Sequence, residues 1–189
     1  MTDELDILEE LERTGAVRRG HFRLSSGRHS DTYVQCALLL REPSVADAVG
    51  EQLAGEVGDV DLVLAPALGA LLIGYTVARA LDRPMIFTER SEGSMKLRRG
   101  FWIEPGSRVL IVEDVVTTGG SAMELAKLVE EACAIVAGFA CVVERGSLPE
   151  GNRLTSLVKL EARSYEEAEC PLCADGVPID APGSRYSSK

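Results

Sequence analysis

The chain has 189 residues, 46% of them hydrophobic and 26% charged, which suits one globular domain and excludes a wholly disordered protein. Its net charge of −10 argues against a nucleic-acid partner and against binding to anionic membranes through charge. Since no apolar run approaches the roughly 20 residues of a membrane span and the N-terminus is acidic, we expect a cytoplasmic protein without a membrane partner.

The first forty residues predict one helix and two short strands. The helix is expected over Asp3–Arg13, where leucines recur at three-residue spacing and Thr2 can cap the start. The strands are expected at His21–Leu24 and Thr32–Cys36, joined by a turn at Ser25–His29.

From residue 43 onward, predicted helices and apolar strands alternate. In chain order they are a helix from Pro43, a strand at Asp61–Ala65, a helix to about Leu81, strands at Pro84–Thr88 and Arg108–Val112, a helix at Ser121–Ala132, and strands at Ile135–Val143 and Ser156–Leu160. Buried strands that alternate with helices indicate an α/β fold with a parallel sheet, whose ligands bind beyond the carboxyl ends of the strands.

This alternation divides the single predicted domain into three parts. Residues 43–162 form the α/β core, and residues 1–42 form a small N-terminal lobe over one edge of it. Residues 163–189 are expected to be a C-terminal tail, extended and frayed from about Ala174.

The segment from Val109 to Ser121 carries the strongest functional signal. A buried strand leads into Glu113 and Asp114, a turn of small and hydroxylated residues follows, and a helix begins near Ser121. Backbone N–H groups at a helix N-terminus stabilise a phosphate, and Gly119 lets the backbone approach it closely. The two carboxylates suit the paired hydroxyls of a ribose. The alternative is an ordinary capped helix with solvated acids.

This segment resembles the phosphoribosyl-pyrophosphate motif of the type I phosphoribosyltransferases. Three further stretches resemble the orotate phosphoribosyltransferase family: His21–Gln35 its N-terminal signature, Leu64–Gly69 its pyrophosphate loop, and Val142–Arg145 its strand with an orotate-contacting arginine. The matches occur in family order from about Gly20 to Gly146 and cover most of the chain.

The resemblance implies a Rossmann-like parallel sheet flanked by helices, with the N-terminal lobe as a hood over the base. It also implies a pentosyl transfer in pyrimidine biosynthesis, in which orotate and phosphoribosyl pyrophosphate give orotidine 5′-monophosphate and pyrophosphate. The implied cofactor of this reaction is Mg²⁺, and the implied oligomeric state is a homodimer. The implied contacts of phosphoribosyl pyrophosphate are Glu113, Asp114, Val115, Val116, Thr117, Thr118, Gly119, Gly120 and Ser121. Thr117 and Arg145 would contact orotate. The pyrophosphate group would contact Arg90, Ala67, Leu68 and Gly69. No protein ligand of the metal is singled out, because substrate phosphates usually supply much of a Mg²⁺ shell.

The segment Ser91–Gly100 is polar and basic and predicts a loop, and the resemblance implies that this loop is mobile and closes over the site. We expect Lys96, Arg98 and Arg99 to share the catalytic work with Glu113 and Asp114. The competing interpretation is a solvated basic loop.

The basic segment departs from the family pattern, which makes this chain a divergent member. It lacks the common Lys-x-x-Lys-x-His sequence, and Leu68 and Ser25 stand where many members carry lysine. Two alternatives to orotate transfer therefore stay open. One is a phosphoribosyltransferase for another base, and the other is a non-catalytic regulator that senses phosphoribosyl pyrophosphate.

The cysteines and histidines give weaker signals. An odd count of five cysteines does not suit a disulfide framework, and Cys133 and Cys141 lie in apolar stretches typical of the core. The pair Cys170 and Cys173 supplies half of a tetrahedral zinc site, whose other half would come from Cys36, a histidine or a second subunit. A reduced pair and an adventitious disulfide are the alternatives.

The two histidines have different predicted environments. His21 is expected at the surface, and His29 is expected in a turn near a phosphate.

Overall fold

The computed structural model describes residues 5–24 and 26–182. Along them the chain forms α1 (Ile7–Arg13), β1 (Val17–Arg23), β2 (His29–Val34), α2 (Cys36–Leu39), α3 (Pro43–Gly55), β3 (Leu62–Pro66), α4 (Leu71–Leu81), β4 (Met85–Ser91), β5 (Ser94–Leu97), β6 (Arg108–Val116), α5 (Gly120–Glu131), β7 (Ile135–Glu144), β8 (Leu154–Lys159), β9 (Ser164–Tyr165) and α6 (Pro171–Ala174). A 3₁₀ turn spans Glu167–Glu169. None of the helices in these ranges has the length and apolar character needed to cross a membrane.

A six-stranded sheet forms the centre of the core, in the order β5-β4-β3-β6-β7-β8. Neighbouring strands from β4 to β8 pair in parallel, and only β5 pairs antiparallel to its neighbour β4. The predicted α/β fold with a parallel sheet is confirmed.

Apolar side chains cover both faces of this sheet. Val63 and Leu110 pack on the face covered by α3 and α4, whereas Leu64 and Ile111 pack on the face covered by α5. Successive strand residues point to opposite faces, so the continuous apolar runs of β3 and β6 fill two cores at once.

A second, three-stranded antiparallel sheet, β1-β2-β9, forms the hood. Its third strand comes from the C-terminal segment, where Ser164 and Tyr165 pair with Ser30 and His29. Farther along, the Asp180 carbonyl oxygen accepts a hydrogen bond of 2.8 Å from the Arg23 N–H. The C-terminal segment is therefore hydrogen-bonded to the hood at Asp180, and the expected fraying from Ala174 is wrong for that part. Residues 183–189 lie outside the described residues.

Several element boundaries near the N-terminus differ from prediction. Helix α1 begins at Ile7 because the Asp6 side chain caps it by accepting a 3.0 Å hydrogen bond from the Glu9 N–H. The predicted cap, Thr2, lies outside the described residues. Strand β2 begins at His29 instead of Thr32, and Cys36 opens the short helix α2.

The basic segment predicted as a loop forms part of a β-hairpin. Strands β4 and β5 pair up to Ser91 and Ser94, and the two residues between them, Glu92 and Gly93, have φ of 53° and 84°. Two positive φ values are typical of the tight type I′ hairpin turn. The sequence did not predict this turn, because glutamate is an unusual residue at the first position of a type I′ turn.

The two cysteines predicted for the core have different environments. Cys141 is buried in β7, as expected. Cys133 is exposed and has a left-handed φ of 56° just after α5, so the core assignment is wrong for it. It lies between Ala132, the C-cap of α5, and β7, which begins at Ile135.

Candidate active site

Strand β6 presents its two acids on opposite faces of the sheet. The strand runs to Val116, so Glu113 and Asp114 lie inside it and not after its end. By strand alternation Glu113 points toward the α5 face and Asp114 toward the α3–α4 face. A Cβ atom placed on Gly69 would lie 2.8 Å from Asp114 Oδ2, so the Asp114 carboxylate contacts the loop before α4.

A cavity of about 230 Å³ opens where β6 leads into α5. Its lining residues are Ser26, Arg90, Glu113, Val115, Val116, Thr117, Thr118, Gly119, Gly120, Ser121, Ala122 and Glu124. The structure therefore brings together the whole predicted phosphoribosyl-pyrophosphate segment except Asp114. Ser26 belongs to the hood, so the hood covers this cavity.

The first turn of α5 forms one wall of the cavity. Gly119 precedes the helix with a left-handed φ of 72°, and no side chain of the described residues caps the backbone there. The unpaired N–H groups and the positive end of the helix dipole thus face the cavity, where they can bind a phosphate.

Gly119→Ala is expected to lower the free energy of unfolding by about 1–3 kcal/mol and to weaken phosphoribosyl-pyrophosphate binding. A Cβ at this left-handed position is strained, and it would lie 2.6 Å from Leu148 Cδ2. Urea unfolding and a binding titration measure the two effects. Gly55→Ala is the matched control, because a Cβ on Gly55 meets nothing within 4 Å. Equal stability of the two variants would contradict the prediction.

Burial controls the ionisation of both acids. Burial of the Glu113 carboxyl away from water raises its pKa to about 8, and repulsion from the Asp114 charge contributes to this shift. Burial also raises the pKa of Asp114, although its hydrogen bond from the Val115 N–H opposes the shift. In the absence of ligand, Glu113 is therefore largely protonated at neutral pH, and a neutral carboxyl does not repel a phosphate in the same cavity.

The raised pKa of Glu113 predicts a pH-dependent stability. The folded state holds the proton more tightly than the unfolded state, so stability falls as the pH rises from about 4.5 to 8, by at most about 1.4 kcal/mol per pH unit. Glu113→Gln removes this slope, so its stability relative to the unsubstituted protein should grow with pH. Unfolding curves without magnesium or substrate measure it. The exposed Glu130→Gln should leave the slope unchanged, and a constant difference between Glu113→Gln and the unsubstituted protein would refute the prediction.

The loop between β3 and α4 borders a second cavity, of about 400 Å³. Its Ala67–Leu68 peptide bond is cis, and Leu68 is 82% exposed. The residues that line this cavity are Ala67, Leu68, Leu71, Phe87, Glu89, Arg90 and Arg99. Arg90 therefore lies between the two cavities, next to both the phosphate-binding turn and the 67–69 loop.

Acidic side chains hold the basic residues of the β4–β5 region. Arg90 pairs with Glu124 at 3.0 Å, and Lys96 pairs with Glu92 at 2.5 Å. Glu89 holds both Arg98 and Arg99, at 3.4 and 2.5 Å.

The predicted basic residues differ in whether they line a cavity. Arg90 and Arg99 line the cavities, whereas Lys96 and Arg98 are absent from both sets of lining residues. The acids Glu89 and Glu124 were not singled out from the sequence, where nothing but their charge marks them.

Arg145 connects the phosphate-binding turn to the hood. Its backbone N–H donates to the Val116 carbonyl oxygen at 2.8 Å, and its Nη2 donates to Ser30 Oγ at 2.9 Å. Arg145 Nε is buried and has no hydrogen-bond partner among the described residues. Since a buried unpaired donor is costly, this atom is suited to an acceptor from a ligand.

The family model of the phosphoribosyl transferase domain matches residues 38–154. The orotate phosphoribosyltransferase of Thermotoga maritima is 48% identical over 183 residues, which cover 95% of this chain and 98% of that protein. This chain belongs to the orotate phosphoribosyltransferase family. A second member of the orotate phosphoribosyltransferase family, from Chlorobaculum parvum, is 45% identical, with 97% of each chain covered.

Solved structures of phosphoribosyltransferases share the fold of this chain. The crystal structure of orotate phosphoribosyltransferase from Aeropyrum pernix has a TM-score of 0.69 and 27% identity, covering 82% of this chain and 94% of that one. An adenine phosphoribosyltransferase from Thermoanaerobacter pseudethanolicus has a TM-score of 0.61 at 23% identity, which extends the fold beyond the orotate phosphoribosyltransferase family.

Proposed function

We propose that this protein transfers the 5-phosphoribosyl group from phosphoribosyl pyrophosphate to orotate, giving orotidine 5′-monophosphate and pyrophosphate for pyrimidine biosynthesis. The observation that carries the proposal is the 48% identity, over nearly the whole chain, to a protein named orotate phosphoribosyltransferase. The 230 Å³ cavity with its phosphate-binding turn supports it, and so does the buried Nε of Arg145 beside that turn.

The turn from Thr117 to Ser121 binds the 5′-phosphate of the sugar. Backbone N–H groups and three hydroxyl side chains supply the donors, and Gly119 permits the close approach. Arg90, between the two cavities, and Arg99, beside the 67–69 loop, are the cations best placed for the pyrophosphate group.

Displacement at the anomeric carbon develops positive charge on the ribose and negative charge on the departing pyrophosphate. Glu113 and Asp114 approach from the two faces of β6 and stabilise the positive end once ligand hydroxyls or a cation favour their ionised forms. Arg90 and Arg99 stabilise the negative end. For that role each must exchange its glutamate partner for substrate oxygens.

Mg²⁺ fits the chemistry of this site. Glu113 and Asp114 are buried carboxylates with raised pKa values, the kind of oxygen donors that a nearby cation returns to the charged form. Either carboxylate would hold the ion from its own face of β6, together with substrate oxygens, and the bound ion would supply charge neutralisation at the pyrophosphate.

Arg145 recognises the orotate carboxylate, and Thr117 contacts the base. A guanidinium can bind a carboxylate through two parallel hydrogen bonds, and Arg145 already offers one buried unpaired N–H. The roles of Lys96 and Arg98 in catalysis stay predictions, because neither side chain lines either cavity. Lys96 pairs with Glu92, and Arg98 pairs with Glu89 at the edge of the second cavity.

The protein acts as a homodimer in the cytoplasm. Leu68, Leu72 and Tyr75 are 82%, 48% and 61% exposed beside the 67–69 loop, and such a group of apolar side chains suits burial against a second copy. Sedimentation across a dilution series tests the dimer, and a fully active monomer would contradict it.

A direct assay tests the activity. Purified protein is mixed with orotate, phosphoribosyl pyrophosphate and Mg²⁺, and the loss of orotate absorbance is followed. Parallel reactions contain adenine, hypoxanthine or uracil. Turnover with orotate alone is the expected result. Turnover only with another base would overturn the substrate assignment, and phosphoribosyl-pyrophosphate binding without any turnover would indicate a sensor.

A further inference from the structure

Two histidines and two cysteines meet between the hood and the C-terminal segment. His21 in β1 and His29 in β2 are only 3% and 1% exposed, so the expectations of a surface histidine and of a turn histidine near a phosphate are wrong. Cys170 and Cys173 approach them from the C-terminal side. One nitrogen or sulfur atom from each residue lies within 4.8 Å of all the others.

Four of the six distances between these ligand atoms are close to those of a tetrahedral metal site. His21 Nε2 and His29 Nδ1 are 3.1 Å apart, and Cys173 Sγ lies 3.2 Å from His29 Nδ1 and 3.7 Å from His21 Nε2. Cys170 Sγ lies 3.5 Å from His21 Nε2. With zinc bonds of about 2.3 Å to sulfur and 2.0–2.1 Å to nitrogen, a tetrahedron requires about 3.4 Å between nitrogens and about 3.6 Å between nitrogen and sulfur.

A hydrogen bond outside the cluster orients one of the ligands. His21 Nδ1 lies 2.8 Å from the Val177 carbonyl oxygen, so Nδ1 carries the proton and donates it to that oxygen. His21 Nε2 then has its lone pair free and points it into the cluster. Metal-bound histidines are held in this way, with the second ring nitrogen donating to a backbone carbonyl or a carboxylate.

Charge also favours a divalent ion. Two thiolates and two neutral imidazoles around Zn²⁺ make a neutral unit, which can be buried without a further counter-ion. We propose that His21, His29, Cys170 and Cys173 bind one Zn²⁺ ion in a structural site. All four positions of the tetrahedron are taken by side chains, which is typical of a structural and not of a catalytic zinc.

The ion would hold the C-terminal segment on the hood. That segment also contacts the hood through the two residue pairs of β9 and a bridge between Phe22 and Asp180. Ion pairs from Arg18, Arg23 and Arg28 to acids of the segment add to these contacts at the surface. The hood in turn contributes Ser26 to the cavity and Ser30 to the contact with Arg145. Zinc therefore stabilises the cover of the active site without taking part in the reaction.

Metal content is the first test. The full chain, produced without a histidine tag in zinc-supplemented medium, is desalted and analysed for zinc, iron, copper, nickel and cobalt. About one zinc per chain is expected. Cys173→Ser should fall below about 0.2 per chain, while Cys133→Ser, which alters an exposed cysteine outside the cluster, should keep its zinc. Less than 0.1 zinc in the unsubstituted protein, or another metal in stoichiometric amount, would overturn the proposal.

Three further measurements do not depend on a variant that folds. Replacement of zinc by Co²⁺ should give the intense visible bands of a tetrahedral cobalt site with sulfur-to-cobalt charge transfer. Chelation should lower the melting temperature of the unsubstituted protein by about 5–10 °C, and added zinc should restore it. In denaturant with chelator, all five cysteines should titrate as thiols. Three thiols would indicate a Cys170–Cys173 disulfide instead, which excludes the site.

Discussion

Asp114→Asn is expected to lower kcat/KM for phosphoribosyl pyrophosphate by about 100- to 1,000-fold while the fold is kept or stabilised. The carboxylate faces Gly69 from inside β6, and it is proposed to stabilise the positive charge that develops on the ribose. Asparagine has nearly the same size but no charge. Since burial raises the pKa of Asp114, the folded protein already bears a cost for that charge, and its removal does not destabilise the structure.

Steady-state kinetics and urea unfolding of the same preparation separate the two effects of Asp114→Asn. Asp82→Asn is the matched control, because Asp82 is an exposed residue with a left-handed φ of 53° after α4, where asparagine is well tolerated. It should keep full activity. Loss of activity in proportion to loss of stability in Asp114→Asn would show that Asp114 acts only through the fold.

Arg145→Gln is expected to raise KM for orotate by roughly 100-fold and to leave KM for phosphoribosyl pyrophosphate nearly unchanged. The substitution removes a charge-assisted pair with the orotate carboxylate in a partly buried position, an interaction of about 2–3 kcal/mol. The hydrogen bond from Nη2 to Ser30 Oγ is lost as well, so a small fall in stability accompanies the kinetic change.

The role of Arg145 is decided by which of the two KM values rises, the one for orotate or the one for phosphoribosyl pyrophosphate. Initial rates are measured with each substrate varied in turn. Arg153→Gln, which changes an exposed arginine just before β8, should leave both KM values unchanged. An equal rise in both KM values for Arg145→Gln would mean that the residue supports the shared phosphate-binding turn and does not recognise the base.

The sequence predicted the core of the molecule because its signals are local. Continuous apolar runs fixed the buried strands β3, β6 and β7, and the order of strand and helix fixed a parallel sheet. The turn from Thr117 to Ser121 also followed from local chemistry, since small, hydroxylated residues at the start of a helix can bind a phosphate wherever the fold places them.

Boundaries and pairings were harder to predict. The glutamate in the β4–β5 turn concealed a hairpin, and the hood lacks long apolar runs because its strands are short and half exposed. The sequence places Glu113 and Asp114 side by side, which predicts that both face one ribose. They point to opposite faces because β6 continues to Val116, a consequence of where the strand ends and not of the residues themselves.

The sequence by itself determined the family, the parallel sheet and the phosphate-binding turn, since each of these depends on residues close together in the chain. Only the tertiary structure decided which distant side chains meet. It pairs Arg90 with Glu124 and Arg145 with Ser30, and it brings Cys170 and Cys173 to two histidines almost 150 residues earlier. Such contacts depend on strand pairing in the hood, and no periodicity or local spacing encodes that pairing.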